Sequence, residues 1–450
     1  MRALLKRVLP AVVPRFLRRS VDTAQARWCW VRMRLPQRPR RTGERGDALR
    51  LGLLAMSFPP ETGGGAFRPA SFARYASEAG VHVTVVAARA RQQLTEAGRY
   101  LAGHIPANVV VHRAQPVAQF AFPKLLPVLG GGFLELIDMH ETANRVFRKR
   151  WPDAILATGP QFYTFVAGLR LAARYRCPLV LDYRDEWTEC PFDFVQAGEL
   201  DRRWEKRCLA AAQLVIFTTE SQLAHAIDKF AELDEARCAV MPNGWEPRDW
   251  QDVPPYDPTR FTDGPRVVSF VGNLGNHTPP DEFMDELEAI LARRPDLRER
   301  IRFRFVGHQS PGSAERLAAF SYPEMLESVE HVPKSDASRL MRESAALLLL
   351  NGRRLHRYIP GKLYEYLAAG PPVLVHGSGG EVGSLIERLG AGYVVASDDR
   401  EGLVDVLDQI CDRSAPAFPD RSSWLAEHTR EAIAHRTVAL IRAAPRVTDG

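Results

Sequence analysis

Twice along this chain an apolar run breaks into a glycine-rich loop and then into a helical segment. Residues 48–57, ALRLGLLAMS, lead into FPPETGGG and a helix expected over about 67–79. Residues 266–271, RVVSFV, lead into Gly272-Asn273-Leu274-Gly275 and a helix expected over 280–293. A strand that is apolar along its whole length needs cover on both faces, which helices on either side of a parallel sheet provide. The alternation continues through strands at 81–87, 153–158, 178–182 and 214–218 in the first half. In the second half it continues at 301–306, 346–350, 373–375 and 392–395. The expected fold class is therefore α/β, with two doubly wound, Rossmann-like domains whose carboxyl strand ends face a cleft.

A chain of 450 residues exceeds one comfortable core, which agrees with two domains. The proline- and aspartate-rich QDVPPYDPTRFTDGP, 251–265, has little periodicity and is the natural linker. It divides an N-terminal domain over 48–250 from a C-terminal domain over 266–415. A last helix within 421–445, read as continuous over 424–443, is expected to cross back to the first domain.

The formal net charge of +6 is unevenly spread. Residues 1–47 form a basic arm; the first 50 residues hold about fourteen Lys or Arg against Asp22, Glu44 and Asp47, which leaves the remainder roughly −5. Apolar residues and two tryptophans in the arm suit an anionic membrane surface, although a disordered basic tail or a helix packed on the body would read the same way. No basic, aromatic groove follows, so nucleic acid is not an expected partner. No apolar run spans a bilayer. The six scattered cysteines include no C-x-x-C, which suggests neither a disulfide framework nor zinc, and fits a reducing compartment.

The stretch most suited to chemistry is YIPGKLYEYLAAGPP, 358–372. Pro360-Gly361 opens a helix, Gly370 ends it, and Pro371-Pro372 lead into a strand. Lys362 at the helix N-terminus would seat a phosphate beside free backbone N–H groups. Glu365, three residues on and on the same face, would accept hydrogen bonds from neighbouring hydroxyls such as those of a ribose. An ion pair between the two on a solvated face is the competing reading. In the first half, Gly63, Gly64 and Gly65 would bring backbone N–H groups to a ligand, or else form a flexible connector. The strand 178–182 ends in Asp182-Tyr-Arg184-Asp185-Glu-Trp187. Charges placed there either face a cleft or form a structural network at a domain rim.

On these residues the chain resembles GT-B glycosyltransferases, in particular the large retaining, glycosyltransferase family 4-like group of bacterial polysaccharide synthesis. FPPETGGGAFRPASFARYASEAGVHVTVV is similar to that family's opening strand, loop and helix. PLVLDYRDEWT resembles a subgroup signature, Asp-x-Arg-Asp-x-Trp, and YIPGKLYEYLAAGPPVL resembles the donor-binding segment. The resemblance covers about residue 50 to the end. It implies that Gly272, Asn273, Gly275, Arg357, Gly361, Lys362 and Glu365 bind a nucleotide-sugar donor, with Lys362 on the leaving diphosphate and Glu365 on the ribose. Gly63, Gly64, Gly65 and Asp182 would lie toward the phosphates or the acceptor, and Arg184 and Asp185 would act with Lys362 in catalysis. Arg357 stands where the family's usual first glutamate touches the transferred sugar. Arg353 and Arg354 are candidates for a cation otherwise missing after Asn276.

No Asp-x-Asp occurs, which fits the metal-independent mechanism that the resemblance implies, with no cofactor beyond the sugar nucleotide. The resemblance further implies transfer of a hexose, with retention, to a lipid-linked or glycan hydroxyl at the cytoplasmic face of the membrane. A catalytically silent GT-B scaffold is the alternative that the missing glutamate supports. A nucleotide-sugar epimerase is a third, one that would leave the basic arm without a purpose.

Overall fold

The computed structural model describes residues 48–62, 64–89, 95–114, 133–192, 195, 197–261, 264–275, 277–330, 332–377, 379–412 and 418–445. The basic arm 1–47, Gly63 and Asn276 lie outside the described residues. The chain divides into two compact units. The first comprises 1–217, 223–241 and 434–450, and the second 218–222 and 242–433.

In the first unit the order is β1 Arg50–Ala55, α1 Gly64–Glu78, β2 His82–Ala87, α2 Glu96–Gly103, β3 Val110–Arg113 and α3 Phe133–Phe147. Then come β4 Ala154–Thr158, α4 Tyr163–Tyr175, β5 Leu179–Tyr183, α5 Glu199–Ala211, β6 Leu214–Phe217, α6 Glu220–Lys229 and β7 Cys238–Val240. The strands pair in parallel as β3-β2-β1-β4-β5-β6-β7. Strand alternation explains the uninterrupted apolar runs. Leu54 of β1 belongs to the core on one face, with Phe147, Phe165 and Trp204. Its neighbours Leu51, Leu53 and Ala55 belong to the core on the other face, with Phe72, Tyr75 and Val438.

The second unit runs β8 Arg266–Val271, α7 Asp281–Arg293, α8 Leu297–Arg300, β9 Ile301–Val306, α9 Pro311–Ala318, β10 Leu326–Val329, α10 Lys334–Arg342 and β11 Ala346–Asn351. It continues with α11 Gly361–Ala369, β12 Val373–Gly377, α12 Gly380–Leu389, β13 Gly392–Val395, α13 Arg400–Cys411, α14 Ser422–Glu427 and the first turn of α15 Arg430–Ala443, whose residues from Ala434 on belong to the first unit. Its parallel order is β10-β9-β8-β11-β12-β13. Leu374 of β12 faces the core that holds Phe283 and Phe303. Val373 and Val375 face the opposite one, with Leu363 and Tyr366 of α11. Both sheets are thus doubly wound, as the alternation predicts.

In each sheet the strand order reverses direction at one place, between β1 and β4 and again between β8 and β11. The connections leaving those neighbouring carboxyl ends diverge to opposite sides, which opens a crevice where such sheets bind ligands.

Two expectations about local structure are corrected. The first glycine-rich stretch is not loop throughout: α1 begins at Gly64, so Gly64 and Gly65 form its first turn. The final helix is not continuous. It breaks at His428 and Thr429, because Trp245 pairs with Thr429 through Trp245 N to His428 O at 3.2 Å and Arg430 N to Trp245 O at 2.9 Å. Backbone groups committed to a distant partner cannot also continue a helical ladder. Beyond the break, Ala434, Val438 and Ile441 pack into the core of the first unit.

Candidate active site

The helix α11 organises the second unit's site. Pro360 sits at its N-cap without a side-chain hydrogen bond, so its first-turn N–H groups meet no capping side chain. Tyr366, fully buried, points back from this helix to the end of β8. Its hydroxyl accepts from Val271 N at 2.7 Å and donates to Val271 O at 3.0 Å. One phenol thereby fixes the helix against the strand that ends at the crevice.

Immediately beyond, Gly272 adopts φ +141, in the region that disfavours a side chain. A Cβ there would lie 3.0 Å from Lys362 Nζ. The backbone of Gly272 is held from behind by Gly307, where a Cβ would fall 2.6 Å from Gly272 O. The loop is anchored by buried Leu274, whose N–H donates to His308 O at 2.9 Å and whose carbonyl accepts from Ser310 N at 2.8 Å. That leaves Asn273 exposed and Gly275 half-buried on the rim.

Lys362 is partly buried, with Nζ 4.0 Å from the centre of the Phe270 ring. Among the described residues no carboxylate comes within ion-pairing distance of it. Burial pushes its ammonium down to about 8, against a smaller upward pull from Glu365. A desolvated cation beside a glycine backbone and an uncapped helix start is a site prepared for an anion.

Glu365 does not pair with Lys362. Lys334 Nζ lies 2.6 Å from its Oε1, and Arg430 NH2 lies 3.6 Å from the same oxygen. Burial alone would raise the Glu365 carboxyl, but Lys334 and then Arg430 outweigh it and hold it below the ordinary value. Sequence reasoning missed Lys334, Arg430 and Tyr366; only Tyr366 carried a local signal, as the residue beside Glu365 in the same helix.

Gly361 is exposed at the helix start, and Arg357 lies four residues before it. Arg357 NH1 is 3.2 Å from His356 Nε2. The His356 carbonyl receives Glu381 N at 2.9 Å, so the Arg353–Arg357 segment is seated on the first turn of α12. The structure thus brings Gly272, Lys362, Gly361 and the arginine segment to the crevice between β8 and β11.

The first unit shows a more inward arrangement. Asp182 is buried and accepts from Arg68 NH2 at 2.9 Å, Arg68 Nε at 3.1 Å and Thr158 Oγ1 at 2.9 Å. Arg184 NH1 donates to Gly65 O at 2.6 Å, and its Nε donates to Gly159 O. The first contact follows from the sequence. Pro69 has no N–H to give to the carbonyl four residues earlier, so Gly65 O is left for Arg184. Gly65 follows β1 and Gly159 follows β4, so Arg184 bridges the two sides of this sheet's crevice. Burial lowers its pKa, partly offset by the nearby charges of Asp185 and Asp182. Asp185 is half-buried beside it, whereas nothing crowds Gly64.

Sequence reasoning also missed Glu205 of α5, nearly wholly buried and pushed up to about 7 by that burial. It receives Thr188 N at 3.0 Å and Tyr183 OH at 3.2 Å, and so holds the segment that follows Asp185.

Comparison with known proteins agrees with the fold. A glycosyl transferase 4-like domain model matches residues 63–244, and a glycosyl transferases group 1 model matches residues 265–413. No curated protein matches the chain. Among solved structures, sucrose-phosphate synthase from Thermosynechococcus elongatus is similar at TM-score 0.63 and 16% identity, over 88% of this chain and 98% of that one. HepE from Anabaena, solved in complex with UDP, gives TM-score 0.60 and 14% identity over 88% and 100%. The lipopolysaccharide outer core galactosyltransferase WaaB gives 0.59 and 10% over 88% and 99%. At these identities the likeness concerns the fold, which is the GT-B one.

Proposed function

The chain belongs to the glycosyltransferases that join a 4-like domain to a group 1 domain, and from that premise we propose that it moves a sugar from a nucleotide donor to a hydroxyl of a lipid-linked or growing glycan. The observation that carries this reading is Lys362, lying against the Gly272 backbone at the uncapped start of α11. In such a transfer the bond between the sugar's anomeric carbon and the diphosphate oxygen breaks, and the acceptor oxygen takes its place. Negative charge grows on the diphosphate as it leaves. A fixed ammonium and backbone N–H groups aimed at that charge stabilise the transition state more than the ground state.

In this reading Gly272, Asn273, Gly275 and Gly361 shape the diphosphate seat, and Glu365 takes the ribose. Arg357 lies toward the transferred sugar. Arg184 and Asp185 take a catalytic part, with Asp182 holding the wall of the first unit's own crevice through Thr158 and Arg68. Transfer proceeds with retention and without a metal, and the basic arm 1–47 draws the protein to an anionic membrane surface. Among the described residues no helix is long and apolar enough to cross a membrane.

The test is release of nucleoside diphosphate from a panel of sugar nucleotides, with and without membrane extract as acceptor. Acceptor-dependent release that disappears in Lys362→Ala supports the reading. Release without any acceptor, or none with any donor while wild type is folded, overturns it.

A further inference from the structure

Glu365 lies one turn beyond Lys362, and both of its ion pairs converge on a single oxygen. Lys334 Nζ, from the first residue of α10, stands 2.6 Å from Oε1. Arg430 NH2, from the first residue of α15, stands 3.6 Å from that same atom. The two cations are themselves held. Lys334 is 3.7 Å from Oδ2 of half-buried Asp249. Arg430 gives Nε to Gly244 O at 3.1 Å and its backbone N–H to Trp245 O at 2.9 Å.

The segment that delivers Arg430 also grips the rest of α11. Arg421 donates to Leu367 O at 2.9 Å and Gly370 O at 2.7 Å, and so closes the helix's free carbonyl end. Trp424 stacks on His428 at 3.8 Å and on Tyr364 of α11 at 5.9 Å. The helix bearing Lys362 and Glu365 is thus strapped along its length by residues 421–430.

We propose that Lys334 and Arg430 are positioning residues for diol recognition, fixing one oxygen of Glu365 so that the other receives the neighbouring hydroxyls of a ribose. This rests on the reading of the site as a seat for a nucleoside diphosphate. A carboxylate that is ionised only accepts hydrogen bonds, and each oxygen has two lone-pair directions. With Oε1 occupied by cations, Oε2 can take both hydroxyls of a cis-diol. Without the cations, the side chain would lose its orientation, and burial would favour its protonated form, which offers a donor where the diol needs an acceptor.

A purely structural network would staple α10, α11 and α15 together and do nothing else. The two roles separate in a binding experiment on the full chain, by titration calorimetry with UDP, GDP, ADP and CDP beside their 2′,3′-dideoxy counterparts. Wild type should prefer the ribose form of its nucleotide by about tenfold or more, the worth of hydrogen bonds to a charged group. Lys334→Met and Arg430→Met should each reduce that preference to threefold or less, while leaving affinity for the dideoxy form unchanged. Lys334→Arg should restore it. Variants that keep the preference, or that lose both forms equally, overturn the proposal. Binding by wild type without any ribose preference also overturns it and leaves the diphosphate reading standing. If wild type binds none of the diphosphates, that reading falls first and the proposal with it.

Discussion

Replacing Lys362 by Met should do two opposite things: abolish diphosphate binding and stabilise the empty protein. In the folded chain the ammonium sits at about 8, against an ordinary 10.5, because it is desolvated without a carboxylate partner. The unfolded chain therefore binds more protons than the folded chain between those two values. Stability rises with pH across that window, and below about pH 8 the full unfavourable contribution is present. The difference corresponds to about 3 kcal/mol at most, and Lys362→Met should recover about 1–3 kcal/mol of it at pH 7.

Binding reverses the balance. A diphosphate against the ammonium restores the charged form, so affinity should fall as pH rises above about 8. Complex formation at pH 8.5 should take up about three quarters of a proton if the bound lysine returns to its ordinary range. Calorimetry in buffers of different ionisation enthalpy reads that uptake directly, and urea melts of the two proteins at pH 7 and pH 10 read the stability term. A pH-independent affinity with no proton uptake, together with a Met variant no more stable than wild type at pH 7, would refute the argument that Lys362 is a charge held ready for an anion.

Other outcomes follow from the same geometry. Gly307→Ala should destabilise by about 2 kcal/mol or more in urea melts, since its Cβ would fall 2.6 Å from Gly272 O at a residue with φ +119. Arg421→Met leaves the carbonyls of Leu367 and Gly370 without their buried donor, and should cost about 2–3 kcal/mol in the same assay. Glu205 is raised from 4.5 to about 7, so the folded state holds the extra proton between those values. Stability should therefore fall as pH rises from 4.5 to 7 and level off above, and Glu205→Gln should flatten that slope.

The parallel sheets were readable because strands covered on both faces must be apolar at every position. β4 and β11 are buried along their whole lengths, and both stand out as apolar runs closed by a single polar residue, Thr158 and Asn351. Helix ends marked by local chemistry were equally legible. Gly370 ends α11 where the Gly-Pro-Pro run predicts. Boundaries set by remote contacts were not. The break at His428 and Thr429 exists because Trp245, far away in sequence, takes their place in the hydrogen-bond pattern. The start of α1 at Gly64 was hidden because two glycines disfavour a helix by propensity alone.

The same division runs through the candidate site. By itself the sequence determined that Lys362 and Glu365 share one helix face, since three residues make nearly one turn. It determined as well that Gly370, with two prolines behind it, ends that helix. Those are consequences of covalent structure and helical period, and they act within a few residues. Only the tertiary structure decided that Glu365 is tied to Lys334 and Arg430 rather than to Lys362, and that Lys362 meets the Phe270 ring and the Gly272 backbone. It alone also placed Arg184 across the carboxyl ends of β1 and β4. Partners so distant along the chain are chosen by strand order and packing. Which charge a buried group meets, and so which ligand it can serve, is fixed only when those elements close around it.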